Sequence, residues 1–99
     1  MKKNEELTNR EIEILGLASF GLKIPQIADI LIISQSTAKN HFNTIYSKLG
    51  VHNRVQAVIK YIKIGNEVKP NPNLSKQFNE TIEKLISEPP RRQSEKWWL

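Results

Sequence analysis

The stretch Ser34–Leu49, SQSTAKNHFNTIYSKL, decides how the rest of the chain is read. Its apolar residues Ala38, Phe42, Ile45, Tyr46 and Leu49 follow one another at spacings of four, three, one and three, which places them on one face of a helix. Ser34 stands where a hydroxyl can accept one of the first unpaired backbone N–H groups. The opposite face carries Ser36, Lys39, Asn40, Asn43 and Ser47, all hydrogen-bonding groups and none of them acidic. A helix with an apolar back and a donor-rich, acid-free front suits a DNA major groove. An ordinary solvated helix has the same look, so the neighbouring chain has to decide.

Upstream, Leu7–Ile12 reads as a helix start. Thr8 and Glu11 have capping-box spacing, and Leu7 and Ile12 are placed for a hydrophobic staple. The predicted helix runs to about Phe20 and buries Ile14, Leu15, Leu17 and Ala18, with Gly21 as its left-handed terminator. Gly16 within it costs about 1 kcal/mol relative to alanine, and Ile12 and Phe20 are expected to flank the core. A second helix is predicted over Ile24–Leu31, with Pro25 in its first turn and Ile27, Ala28 and Leu31 inward. Leu31-Ile32-Ile33-Ser34 is then a tight connection into the opening helix. Two helices joined by so short a turn, the second polar outside, form a helix-turn-helix. Gly50 ends the third helix. Asn53 caps a fourth, with Ala57, Val58, Tyr61 and Ile62 apolar and Gly65 as its stop.

After Gly65 the character changes. The expected organisation is a disordered N-terminus at 1–6, a helix-turn-helix domain at 7–65, a linker at 66–73, an amphipathic helix at 74–88 and a flexible tail at 89–99. The linker reading rests on Pro70 and Pro72. The helix reading rests on Leu74, Phe78, Ile82, Leu85 and Ile86. Pro89 and Pro90 stop it.

At 99 residues there is room for one small domain and a tail. Without cysteine, disulfides, thiolate catalysis and cysteine-ligated zinc are all excluded. His41 and His52 stand on opposite sides of a helix end with no flanking carboxylate, so no metal site is expected. No glycine-rich phosphate loop or acid-oriented histidine supports catalysis, so an enzyme is not expected. No apolar run has the length of a membrane span, and a cytoplasmic protein is expected. The net charge is +5. Residues 34–65 hold Lys39, Lys48, Arg54, Lys60 and Lys63 against no acid, whereas the flanking segments sum to −1 and +1. All the excess charge thus begins at the opening helix, which favours a polyanionic partner.

Residues 7–65 resemble the DNA-binding domain of the LuxR/FixJ (GerE-like) class of bacterial transcription regulators. The residues that carry the resemblance are Leu7, Thr8, Arg10, Glu11, Leu15, Gly21, Ile27, Ala28, Leu31, Ile33, Ser34, Thr37, Lys39, His41, Ile45, Lys48, Leu49, Val51, Arg54, Ala57 and Val58. The resemblance implies an all-α, four-helix domain whose third helix enters the major groove, here with an additional C-terminal helix. It implies base contacts by Lys39, Asn40 and Asn43, and phosphate contacts by Ser34, Gln35, Thr37, Lys48 and Arg54. It also implies a homodimer through the fourth helix, at Ala57, Val58 and Tyr61. Three positions depart from the family pattern. Ala38 replaces the usual valine, the second helix lacks its customary cap at Lys23-Ile24-Pro25-Gln26, and Asn43 replaces a lysine that reads bases in some members.

The expected function is sequence-specific regulation of transcription by a stand-alone effector domain without a receiver. The expected partners are double-stranded DNA and a second copy of the chain, with RNA polymerase as a candidate contact. No cofactor, small-molecule substrate or membrane enters. The alternative is a protein-interaction module that docks on polymerase or another regulator.

Overall fold

Thr8 opens the first helix of the computed structural model, which describes residues 6–87. Its hydroxyl accepts from the Glu11 N–H at 3.1 Å, and Glu11 Oε1 accepts the Thr8 N–H at 2.8 Å, closing the capping box. The elements follow as α1 (Asn9–Ser19), α2 (Ile24–Leu31), α3 (Gln35–Leu49), α4 (Arg54–Lys63) and α5 (Lys76–Ser87). No strand occurs among the described residues, so the fold is all-α. The expected tail at 89–99 lies outside the described residues, as do residues 1–5 of the expected disordered N-terminus.

The core lies between α1, α2, α3 and α4. Ile14, Leu15, Leu17, Ile27, Leu31, Phe42, Ile45, Leu49, Ala57 and Tyr61 pack together there, and removing each large apolar side chain from water contributes about 1.5–3 kcal/mol. Ile12 and Phe20 flank it, half-buried and exposed respectively. Ala38, with no exposed surface, is the small residue at the back of α3.

Helix ends show which sequence signals acted. α3 and α4 close with paired backbone bonds around a left-handed glycine, Gly50 at φ 68° and Gly65 at φ 95°. Val51 N–H donates to the Tyr46 carbonyl, and Asn66 N–H to that of Tyr61. α2 uses the same closure with Ile32 in place of glycine, at φ 59° and ψ 50°. Ile32 N–H donates to the Asp29 carbonyl and Ile33 N–H to that of Ala28. A β-branched residue in that region costs about 1–2 kcal/mol. At its start α2 has no side-chain acceptor cap, but Gln26 Oε1 reaches back to the Lys23 N–H at 2.8 Å.

The stretch at 66–73, whose prolines suggest a linker, is laid against the domain. Val68 packs on the core, and Asn9 Nδ2 donates to the Asn73 carbonyl at 3.3 Å. Asn79 grips the turn from α5, accepting the Asn71 N–H at 2.9 Å and donating to its carbonyl at 2.8 Å. Phe78 and Ile82 then bury α5 against α1 and α2, and the backbone of α5 stays apart from those of α3 and α4. Buried Glu13 fastens the junction: its carboxylate accepts the Ser75 N–H at 2.6 Å and pairs with Arg10 at 3.0 Å. That negative charge stands at the start of α5, where it opposes the helix dipole.

Candidate nucleic-acid interface

Three features present the front of α3. Ser34 Oγ accepts the Thr37 N–H at 3.0 Å and fixes the first turn. Ala38, Phe42, Ile45 and Leu49 are buried and hold the back. Leu31, Ile33 and the left-handed Ile32 set the turn that leads in. Gln35, Ser36, Thr37, Lys39, Asn40, Asn43, Thr44 and Ser47 are consequently exposed together, with no acid in the row. Thr44, which the outer-face reading omits, belongs to it, although its hydroxyl bonds back to the Asn40 carbonyl at 3.2 Å.

The structure divides the residues expected to reach phosphate. Ser34, Gln35 and Thr37 are exposed at the N-terminus of α3, where orphan N–H groups and the helix dipole favour an anion. Ser34 also donates its hydroxyl proton to Thr37 Oγ1 at 2.9 Å, which leaves the Thr37 proton free to point outward. Lys48 and Arg54 are engaged inside the domain. Lys48 Nζ lies 2.8 Å from Glu11 Oε1 and 3.2 Å from the Glu6 carbonyl. Arg54 donates to the Leu22 and Ala18 carbonyls, and its guanidinium lies 5.7 Å from the centre of the Phe42 ring. It ties the start of α4 to the turn between α1 and α2. The cause in both cases is position: folding sets each cation beside acceptors that face into the domain, Glu11 for Lys48 and the Leu22 and Ala18 carbonyls for Arg54.

Lys60 is spent similarly, donating to the Leu49 carbonyl at the end of α3 at 2.6 Å. Much of the positive charge counted from the sequence therefore braces α3 from behind. Lys39 is the exposed cation of its outer face. Glu11 gains from this arrangement. Burial pushes its carboxyl up, but the hydrogen bonds from Lys48 and Thr8 outweigh that and hold it below the ordinary value of 4.5.

The expected dimer residues also divide. Ala57 and Tyr61 are buried in their own protomer's core and Val58 is half-buried. The apolar row that α4 turns outward is Val55, Ile59 and Ile62, with Val58 at its edge. Spacings of three and four put these four on one face. An open groove of about 400 Å³ runs beside them, lined among others by Ala18, Gly21, Arg54 and Val55. The sequence carries both apolar rows of α4, and periodicity alone does not say which one faces the core. Among the described residues no group of three or more histidine, aspartate or glutamate side chains could hold a metal ion. No helix there is long and apolar enough to cross a membrane.

This fold and front define a helix-turn-helix domain. Residues 5–61 match the family described as bacterial regulatory proteins, luxR family. The chain belongs to that family, and the matched part is its DNA-binding domain. It is 45% identical over 69 residues to the transcriptional regulatory protein LnrK of Bacillus subtilis, covering 68% of this chain and 31% of that protein. It is 42% identical over 53 residues to the DNA-binding transcriptional activator DevR/DosR of Mycobacterium tuberculosis, covering 54% of this chain and 24% of that one. A crystal structure of the response regulator ChrA, from a heme-sensing two-component system, superimposes with a TM-score of 0.60 at 44% identity. That match covers 64% of this chain and 31% of ChrA. The chain thus spans less than a third of these relatives, and α5 lies beyond the matched family segment.

Proposed function

We propose that this chain binds duplex DNA in a sequence-specific manner and regulates transcription, with α3 in the major groove. The observation that carries the reading is the continuous exposed front of α3, polar and acid-free, on a helix braced from behind by Lys48, Arg54 and Lys60. Lys39, Asn40 and Asn43 read base edges: a lysine donates to guanine O6 and N7, and an asparagine pairs bidentately with adenine. Ser34, Gln35 and Thr37 hold phosphate at the helix start. Lys48 and Arg54 leave the phosphate set, because their charges are already engaged. The chain acts as a homodimer through Val55, Val58, Ile59 and Ile62, so that two α3 helices meet two-fold related half-sites. α5 lies clear of both α3 and α4, which supports binding and pairing with the fifth helix in place.

Selection of binding sites from a random duplex pool by the purified chain tests this reading. A recovered site with two inverted half-sites supports it. Absence of duplex binding even at low salt, where phosphate contacts are strongest, overturns it in favour of a protein-docking module.

A further inference from the structure

Glu11 Oε1 holds two unrelated parts of the chain at once. It accepts the Thr8 N–H at 2.8 Å and so closes the cap of α1, and it accepts Lys48 Nζ at 2.8 Å from the last turn of α3. Lys48 adds a second bond, 3.2 Å to the carbonyl of Glu6, two residues before Thr8. The Lys48 and Glu11 side chains are 14% and 5% exposed, so the pair is screened little by water or salt. Leu7 and Ile12 line the same cleft with Lys48, Leu49, Lys60 and Tyr61. The lead-in to the domain and the end of the recognition helix therefore share one hydrogen-bonded joint.

We propose that Lys48 is a positioning residue: through Glu11 and the Glu6 carbonyl it couples the lead-in segment at Glu6–Thr8 to the orientation of α3. The proposal rests on the DNA-binding reading for its consequence, but the coupling itself is a property of the free protein. Loss of the pair strands a buried charge and releases both ends together, the cap of α1 and the last turn of α3. Displacement of the lead-in removes the Glu6 bond and strains the Thr8 bond, and it loosens the helix that reads DNA. Displacement of Glu6–Thr8 thereby reaches the groove-facing side chains without touching them.

Glu11→Gln separates this from a phosphate role for Lys48. Glutamine keeps an oxygen for the Thr8 N–H and removes the charge that holds Lys48. Amide hydrogen exchange on the free variant should quicken about tenfold at Thr8 and at residues 46–49 together, with the amides of α2 unchanged. Faster exchange confined to Thr8, or spread evenly over all helices, overturns the coupling. On a selected duplex, Glu11→Gln and Lys48→Met should each lower the ratio of specific to nonspecific affinity about tenfold, and the double variant should lose no more than Lys48→Met alone. The salt slope should stay that of the parent. A slope shallower by about 0.9 in Lys48→Met, with specificity intact in Glu11→Gln, makes Lys48 a phosphate contact and overturns the proposal. Lys48→Arg, which can pair with Glu11, should stay within about twofold of the parent in both assays. Failure of every variant and the parent to bind any duplex strikes the function reading alone, since exchange still tests the joint.

Discussion

Gly16 and Phe78 meet so closely that a side chain on the first would press on the ring of the second. A Cβ at Gly16 would lie 3.1 Å from Phe78 Cε1 and 3.3 Å from both Phe78 Cζ and Val68 Cγ1. The glycine that costs α1 about 1 kcal/mol in helix propensity is the seat of α5. Phe78 is only 1% exposed, and any side chain at Gly16 requires its ring and Val68 to shift by a few tenths of an ångström.

Phe78→Ala should therefore destabilise the protein by about 3–5 kcal/mol, the usual loss for a buried phenylalanine. Gly16→Val should act in the same direction, because added volume in a packed site costs about 1–3 kcal/mol and outweighs the modest gain in helix propensity. Urea unfolding followed by circular dichroism measures both. A Gly16→Val protein as stable as the parent would show that the ring does not need the gap.

Ile32 offers the opposite outcome. It is 74% exposed and closes α2 in a left-handed conformation that α3 and α4 assign to glycine. Ile32→Asn loses no core contact and relieves the β-branched strain, with a gain of about 1 kcal/mol. The thermal midpoint should rise by about 4–8 °C for a domain of this size. An unchanged or lower midpoint would mean that the isoleucine side chain contributes more at the surface than its backbone costs.

The acid limb of stability follows from Glu11. Its folded-state pKa lies below 4.5, so the unfolded chain binds a proton more readily. The stability this carboxylate contributes is present above 4.5 and is lost as pH falls through the depressed folded value. Glu11→Gln carries no such charge. The gap between parent and variant in urea midpoint should be largest at neutral pH and should close as the pH drops below 4.5. A gap that stays constant with pH would place the contribution of Glu11 in shape rather than charge.

The capping pattern of Thr8 and Glu11, the inward stripe of α2 and the back of α3 were legible in the sequence because each is set by neighbours within one or two turns. What was not legible depends on partners far along the chain. Lys48 meets Glu11 across 37 positions and Arg54 meets Leu22 across 32, and a cation in sequence looks the same whether it faces phosphate or a carbonyl. Pro70 and Pro72 suggested a linker, yet Asn79 and Glu13 supply acceptors and donors that hold the neighbouring backbone. Glycine at position 16 carried a local cost in sequence and a distant purpose in the fold.

α4 poses a test of pairing. Its outward row of Val55, Ile59 and Ile62 leaves apolar surface in water, while Ala57 and Tyr61 are buried within the protomer. Ile59→Glu should shift the chain to monomer in sedimentation velocity and weaken binding to a two-half-site duplex, with its circular dichroism unchanged. Tyr61→Ala, in contrast, should lower stability by about 3–5 kcal/mol through the core. A parent protein that sediments as a monomer both free and on a two-half-site duplex would remove the dimer from the function.

Variants at Lys39 and Asn43 test whether α3 reads bases. Both are exposed on the front of α3, and neither supports the core. Lys39→Ala and Asn43→Ala should each lower affinity for the selected site by about 1–3 kcal/mol and relax preference at one position of each half-site. Affinity for unrelated duplex should fall only for Lys39→Ala, which also removes a charge near phosphate, and its salt slope should flatten by no more than about one. Competition binding against a panel of single-position site variants distinguishes the outcomes. A uniform loss across the panel for Asn43→Ala would assign that side chain to the backbone. Unchanged binding for Lys39→Ala would remove it from the groove.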